Sequence, residues 1–90
     1  FVALDGVQPG AKPGPYSAYL DDEQFDWLAR ELRDTPAATP VLVWSHVPIV
    51  SVLPTLGTRS APTGDLSLAS GSTHTDAGKV VELLAKHPNV

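Results

Sequence analysis

Apolar residues fall along this chain in four clusters, separated by stretches rich in proline, glycine and charge. The first, Phe1-Val2-Ala3-Leu4, closes on Asp5-Gly6 and has the length and boundary of a buried strand. The third, Val41-Leu42-Val43 with Trp44, follows Pro40 without any polar interruption. An unbroken run of this kind predicts a strand covered on both faces. Pro48 cannot donate to a ladder, so this strand must end near His46.

The second and fourth clusters repeat at helical rather than strand spacing. Phe25, Leu28 and Leu32, joined by Ala29, form a stripe whose start is marked by Asp21 as N-cap and Gln24 at the capping-box position. Leu20 precedes the cap and is placed to staple onto Phe25. Asp22, Glu23 and Asp26 near the start and Arg30 and Arg33 near the end complement the helix dipole. Trp27 lies at the stripe's edge and is expected to be core. A second helix is predicted from Thr75 or Asp76 to Lys86, capped by Thr75, with Ala77, Val80, Val81 and Leu84 on one stripe. Asn89-Val90 then leads toward a further strand. Strand, helix, strand, helix and the start of a strand make a βαβ order, hence an α/β fold with helices covering a sheet.

Two linking stretches interrupt this order. Residues 6–19 hold Pro9, Gly10, Pro13, Gly14 and Pro15, which predict a loop without regular structure, its far end pinned by Tyr16 and Tyr19. In residues 51–73, fourteen of 23 positions are Ser, Thr, Gly or Pro. A loop this long in a compact domain is usually a functional lid or a disordered segment, and it is expected to be the mobile part of the chain. It starts just after His46 and so is placed to overhang that residue. Ser70-Gly71-Ser72-Thr73-His74 sets serines beside a histidine but lacks the Gly-x-Ser-x-Gly elbow, and is not read as a nucleophile with its base. His74 itself is expected to be exposed.

Composition narrows the chemistry. The chain has 90 residues, six basic and ten acidic, for a net charge of −4. Such a balance does not build the clustered Lys and Arg of a nucleic-acid-binding surface. Cysteine is absent, which excludes thiolate zinc sites, cysteine nucleophiles and disulfides and leaves the compartment unassigned. No apolar run reaches the length of a membrane span. The chain starts at Phe1 inside what reads as a strand and stops at Val90 where another begins, so it is read as one fragment, residues 1–90, of a larger domain. A signal peptide upstream of such a start stays open.

His46 is the leading candidate for chemistry. In open α/β sheets ligands collect beyond the carboxyl ends of strands, and His46 is expected there, its imidazole turned to a loop-lined edge rather than into the core. The plainer reading is a half-buried histidine bonded to a neighbouring backbone.

Leu4-Asp5, then Leu20-Asp21-Asp22-Glu23-Gln24-Phe25-Asp26-Trp27-Leu28, then Val41-Leu42-Val43-Trp44-Ser45-His46-Val47-Pro48 together resemble the middle portion of the calcineurin-like metallophosphoesterases. The helix containing Gln-x-x-Trp-Leu, followed by an apolar strand ending in His-x-Pro, is the specific part. The resemblance implies a four-layer α/β/β/α sandwich with two divalent or trivalent metal ions of the Mn, Fe or Zn class at the strand ends. It implies a phosphatase or phosphodiesterase acting on a phosphoester substrate, with His46 as the family's isolated metal-ligating histidine. The family's Asp-x-His, Gly-Asp-x-x-Asp, Gly-Asn-His and Gly-His-x-His blocks are not in these residues. The rest of the parent chain is thus expected to supply the other ligands, and the 90 residues alone to be inactive. Val47 stands where many relatives carry a second histidine. The alternative is a non-enzymatic α/β binding module.

Overall fold

The computed structural model describes residues 1–9, 16–52 and 73–90. It contains both helices and strands in βαβ order, as the α/β expectation requires. Strand β1 (Val2–Leu4) is followed by a short pair, β2 (Val7–Gln8) and β3 (Ser17–Ala18). Helix α1 (Asp22–Asp34) leads to β4 (Val43–Ser45), and α2 (Ala77–Ala85) comes last. β1 and β4 are parallel, with Val2 opposite Val43, Ala3 opposite Trp44 and Leu4 opposite Ser45. β2 and β3 pair antiparallel, Val7 with Ala18 and Gln8 with Ser17.

This second pair corrects the expectation of a loop without regular structure across residues 6–19. The prolines occupy positions 9, 13 and 15. Val7, Gln8, Ser17 and Ala18 lie outside them and keep their amides available for pairing. The far end is held at Tyr19, whose amide donates to the Gly6 carbonyl at 3.1 Å.

One core holds the two helices to one face of the parallel pair. Leu4, Leu20, Leu28, Leu32 and Val80 are buried together, and Val2, Phe25, Val41, Val43, Ile49, Leu83 and Leu84 pack on them. Residues 41–46 alternate in and out. Leu42 is 55% exposed and Trp44 70% exposed, while Val41 and Val43 face the helices. The expected burial on both faces is therefore not met: among the described residues no sheet or helix covers Leu42 and Trp44. The strand has the composition of a doubly covered element and the surroundings of a singly covered one.

The start of α1 follows from its cap. Asp21 accepts the Gln24 amide on Oδ1 at 2.8 Å. The Gln24 side chain, however, crosses to the end of β1, where Oε1 accepts the Asp5 amide at 3.1 Å and Nε2 donates to the Asp5 carbonyl at 2.9 Å. Gln8 Nε2 donates to that same carbonyl at 3.0 Å. Trp27 is 36% exposed, not core, because the stripe that meets the sheet is centred on Leu28 and Leu32 and Trp27 is one step of about 100° away from Leu28.

Helix α2 begins one residue later than a Thr75 cap requires. Its N-cap is Asp76, whose carboxylate makes no capping bond, while Thr75 turns its amide and hydroxyl to the Ala18 carbonyl at 2.7 and 3.3 Å. Val80 is fully buried and Val81 is 43% exposed, so the inward stripe runs Val80, Leu83 and Leu84 rather than through Val81. Beyond α2 the Val41 amide donates to the Asn89 carbonyl at 2.7 Å, and Asn89 Nδ2 donates to the Thr39 carbonyl at 2.9 Å. Because the Val2 amide bonds Leu42, the neighbour of Val41, residue 89 reaches β4 from the side opposite β1. None of the helices described is long and apolar enough to cross a membrane.

Candidate functional site

His46 immediately follows β4 and is exposed, while Val47 behind it is buried at 2% exposure. Since Leu4 pairs with Ser45, the residues that follow them, Asp5 and His46, stand at neighbouring strand ends. Ser45 shapes the turn between: its hydroxyl donates to the Val47 carbonyl at 2.6 Å, closing a short ring around His46. Strand, pairing and turn thus put the His46 imidazole outside the core, at the carboxyl end of a parallel pair.

The second histidine near this end was not found by the sequence reasoning. His74 is 2% exposed, against the expectation of an exposed residue. Three features draw it in. Its amide donates to the Pro48 carbonyl at 3.3 Å, the adjacent Thr75 amide bonds Ala18, and the ring lies against Gly6. A methyl group on Gly6 would stand 2.5 Å from both Cε1 and Nε2 of His74, so only glycine leaves the ring its place. The signal in the sequence was Gly6 itself, a small residue just after a strand, but nothing local connects it to a residue 68 positions later.

A polar chain runs through His74. Nε2 lies 3.4 Å from Ser45 Oγ, and Nδ1 lies 3.4 Å from Asp76 Oδ1. Asp76 Oδ2 accepts the Leu20 amide at 3.0 Å, which ties the carboxylate to the approach to α1. Nδ1 and Oδ1 are both buried, and neither has a hydrogen-bond partner: their 3.4 Å approach is not itself a hydrogen bond. Next to this chain, Thr73 Oγ1 donates to the Ile49 carbonyl at 2.8 Å, so residues 49 and 73 meet. Residues 53–72, which include Arg59, Asp65, Ser70 and Ser72, lie outside the described residues, and with them the mobility expected of residues 51–73.

Serine, histidine and aspartate in sequence invite comparison with a hydrolytic triad, but the geometry is wrong for one. The Ser45 hydrogen is committed to Val47 by a short bond, and the imidazole is sealed against Gly6 with almost no accessible surface. A nucleophile needs its base free to take its proton and space for the electrophile. Neither is present.

Among the described residues no three His, Asp or Glu side chains are grouped so as to hold a metal ion. His46, His74 and His87 do not converge: His46 is at a strand end, His74 is buried behind it, and His87 follows the last turn of α2. Remote from the site, one surface ion pair stands out. The Arg33 guanidinium, hydrogen-bonded at 2.9 Å, holds the Asp34 carboxyl below the ordinary carboxylate range at the exposed end of α1. An apolar cleft of about 640 Å³ lies at the opposite end of the strands from His46, lined by Phe1, Pro40, Val41, Leu42, Pro88 and Val90 among others.

No family model, no curated protein and no solved structure matches the chain.

Proposed function

We propose that this chain is the central piece of a calcineurin-like metallophosphoesterase, and that its contribution to the active site is the imidazole of His46. The observation that carries the reading is the position of His46. It is exposed, one residue past β4, at the carboxyl end of a parallel β1–β4 pair and beside the strand end that carries Asp5. A rigid strand end gives an imidazole a fixed direction, and neutral imidazole is a good ligand for Zn, Fe and Mn-class ions.

The residues described here do not by themselves fit a dinuclear centre, because one exposed imidazole is not a donor set. In this reading the remaining ligands come from the rest of the parent chain, and the chemistry of the bound metals would be activation of water toward a phosphoester. The outward face of the sheet supports the same arrangement. Leu42 and Trp44 point away from both helices, and a second sheet laid over them, itself backed by helices, would complete a four-layer sandwich. That layer would also stand next to His46, where co-ligands are needed.

The test is to assay the full-length protein and its His46→Ala variant on p-nitrophenyl phosphate and a bis-ester with added Mn or Zn. The expected result is turnover that is mostly lost in the variant while its circular dichroism is unchanged. A full-length protein without turnover, or one indifferent to His46→Ala, overturns the proposal.

A further inference from the structure

The core does not extend over the whole carboxyl end of the sheet. Leu4, Leu20, Leu28, Leu32 and Val80 form it, and no side chain of β2, β3 or residues 73–75 belongs to it or to the apolar residues packed on it. Among the described residues, hydrogen bonds hold these pieces instead. The amide and hydroxyl of Thr75 donate to the Ala18 carbonyl at 2.7 and 3.3 Å, which ties residues 73–75 to β3. The same three residues are fastened to the exit of β4: the His74 amide donates to the Pro48 carbonyl at 3.3 Å and the Thr73 hydroxyl to the Ile49 carbonyl at 2.8 Å. In turn β3 is fastened to the exit of β1 by the Tyr19 amide, which donates to the Gly6 carbonyl at 3.1 Å. We infer that β2, β3 and residues 73–75 make one cooperative unit, which opens while β1, β4 and both helices stay folded. The inference is independent of what His46 binds.

Two properties make this a unit rather than three loose ends. Regions that open at low free energy are those with little buried apolar contact. Here Val7 is 38% exposed, and the buried members are a methyl group, Ala18, and a polar ring, His74. The second property is that the ties are shared. Were residues 73–75 to leave alone, the Ala18, Pro48 and Ile49 carbonyls would all lose their partners; were the hairpin to leave alone, the Thr75 amide and the Gly6 carbonyl would lose theirs. Stranding polar groups that water does not reach is costly, whereas a joint opening lets water satisfy all of them. The His74 ring adds to the linkage, since it lies against Gly6, one residue before β2. Opening is felt at the candidate site. It withdraws His74 from Ser45, 3.4 Å away, whose hydroxyl closes the turn around His46 through its 2.6 Å bond to Val47. Behind His46 the fold thus carries a hydrogen-bonded support that is released without unfolding the core.

The experiment is native-state amide exchange on the full-length protein at low urea. In the unmutated protein the amides of Tyr19, His74 and Thr75 are expected to share one opening free energy, below that of Val2, whose amide bonds Leu42 in the core ladder. Three different values, or a common value equal to that of Val2, overturn the unit. Thr73→Val then removes a hydroxyl bond to Ile49 in which none of those amides takes part. It is expected to speed exchange at Tyr19, His74 and Thr75 by one common factor of about fivefold, the worth of one net hydrogen bond, and to leave Val2 unchanged. Thr73→Ser keeps the hydroxyl and the unmutated rates. Acceleration confined to His74 and Thr75, or shared by Val2, also overturns the unit. The first measurement needs no variant, so it decides the matter even if Thr73→Val fails to fold.

Discussion

The Cα of Gly6 lies against the imidazole edge of His74, so close that a methyl group there would stand 2.5 Å from two ring atoms. The neighbours cannot yield easily. The ring is buried and held from both sides, by Ser45 and by Asp76, and its backbone is tied to Pro48. Gly6→Ala is therefore expected to destabilise by about 1–3 kcal/mol through overpacking. Urea denaturation measures it. A change within about 0.5 kcal/mol, the usual range for a surface substitution, would show that His74 moves aside without cost.

Gln24 supports a second and more discriminating prediction. In an ordinary capping box Glu and Gln serve equally, because each only has to accept a backbone hydrogen. Here the Gln24 amide accepts from the Asp5 amide and donates to the Asp5 carbonyl, linking α1 to the end of β1. Gln24→Glu keeps the acceptor, loses the donor and sets a carboxylate against a carbonyl oxygen. The expected loss is about 1 kcal/mol, the net value of one hydrogen bond. Equal melting temperatures for wild type and Gln24→Glu would mean that the crossing bonds contribute nothing.

Helix α1, its Asp21 cap and the two principal strands could be read from the sequence, because their signals are local: a cap three residues before its partner, an apolar stripe, a proline that stops a strand. What could not be read depends on partners far along the chain. His74 is buried because Gly6 and Ser45 make room and bonds for it, and neither is near it in sequence. Trp27 was expected to be covered on the general habit of aromatic side chains and Trp44 because it ends an unbroken apolar run, but coverage is set by which layers are present, and both helices lie on the Val43 side of the sheet. The antiparallel pair β2–β3 escaped notice because two-residue strands leave no periodicity to detect. At the site, the position of His46 was legible from the strand and Pro48, whereas the buried His74 and its contact with Ser45 were not.

The neighbouring valines of α2 give a direct test of which face packs. Val80 is fully buried and Val81 is 43% exposed. Val80→Ala is expected to cost about 1.5–3 kcal/mol, the free energy of burying a valine side chain. Val81→Ala should change stability by less than about 0.5 kcal/mol. Denaturant midpoints for the two variants settle the orientation, and equal losses would place the helix in a different rotation about its axis.

Trp44 offers the sharpest test of the larger architecture. In the described residues it is 70% exposed, on a strand whose other face is core, with Leu42 beside it at 55%. A large aromatic left in water on a sheet face forgoes the stabilisation that burial would give it, and contiguous apolar surface of this kind usually marks an interface. If a second sheet covers this face in the full-length protein, Trp44→Ala there removes a buried indole and should cost about 3–5 kcal/mol. If the face stays open, the same substitution should change stability by less than about 0.5 kcal/mol. Denaturation of the full-length protein and its Trp44→Ala variant separates the two by a wide margin. Hydroxyl-radical footprinting of the unmutated protein gives an independent reading, since a covered indole is protected from oxidation. A small loss together with rapid oxidation of Trp44 would remove the second layer, and with it the surface from which co-ligands could reach His46.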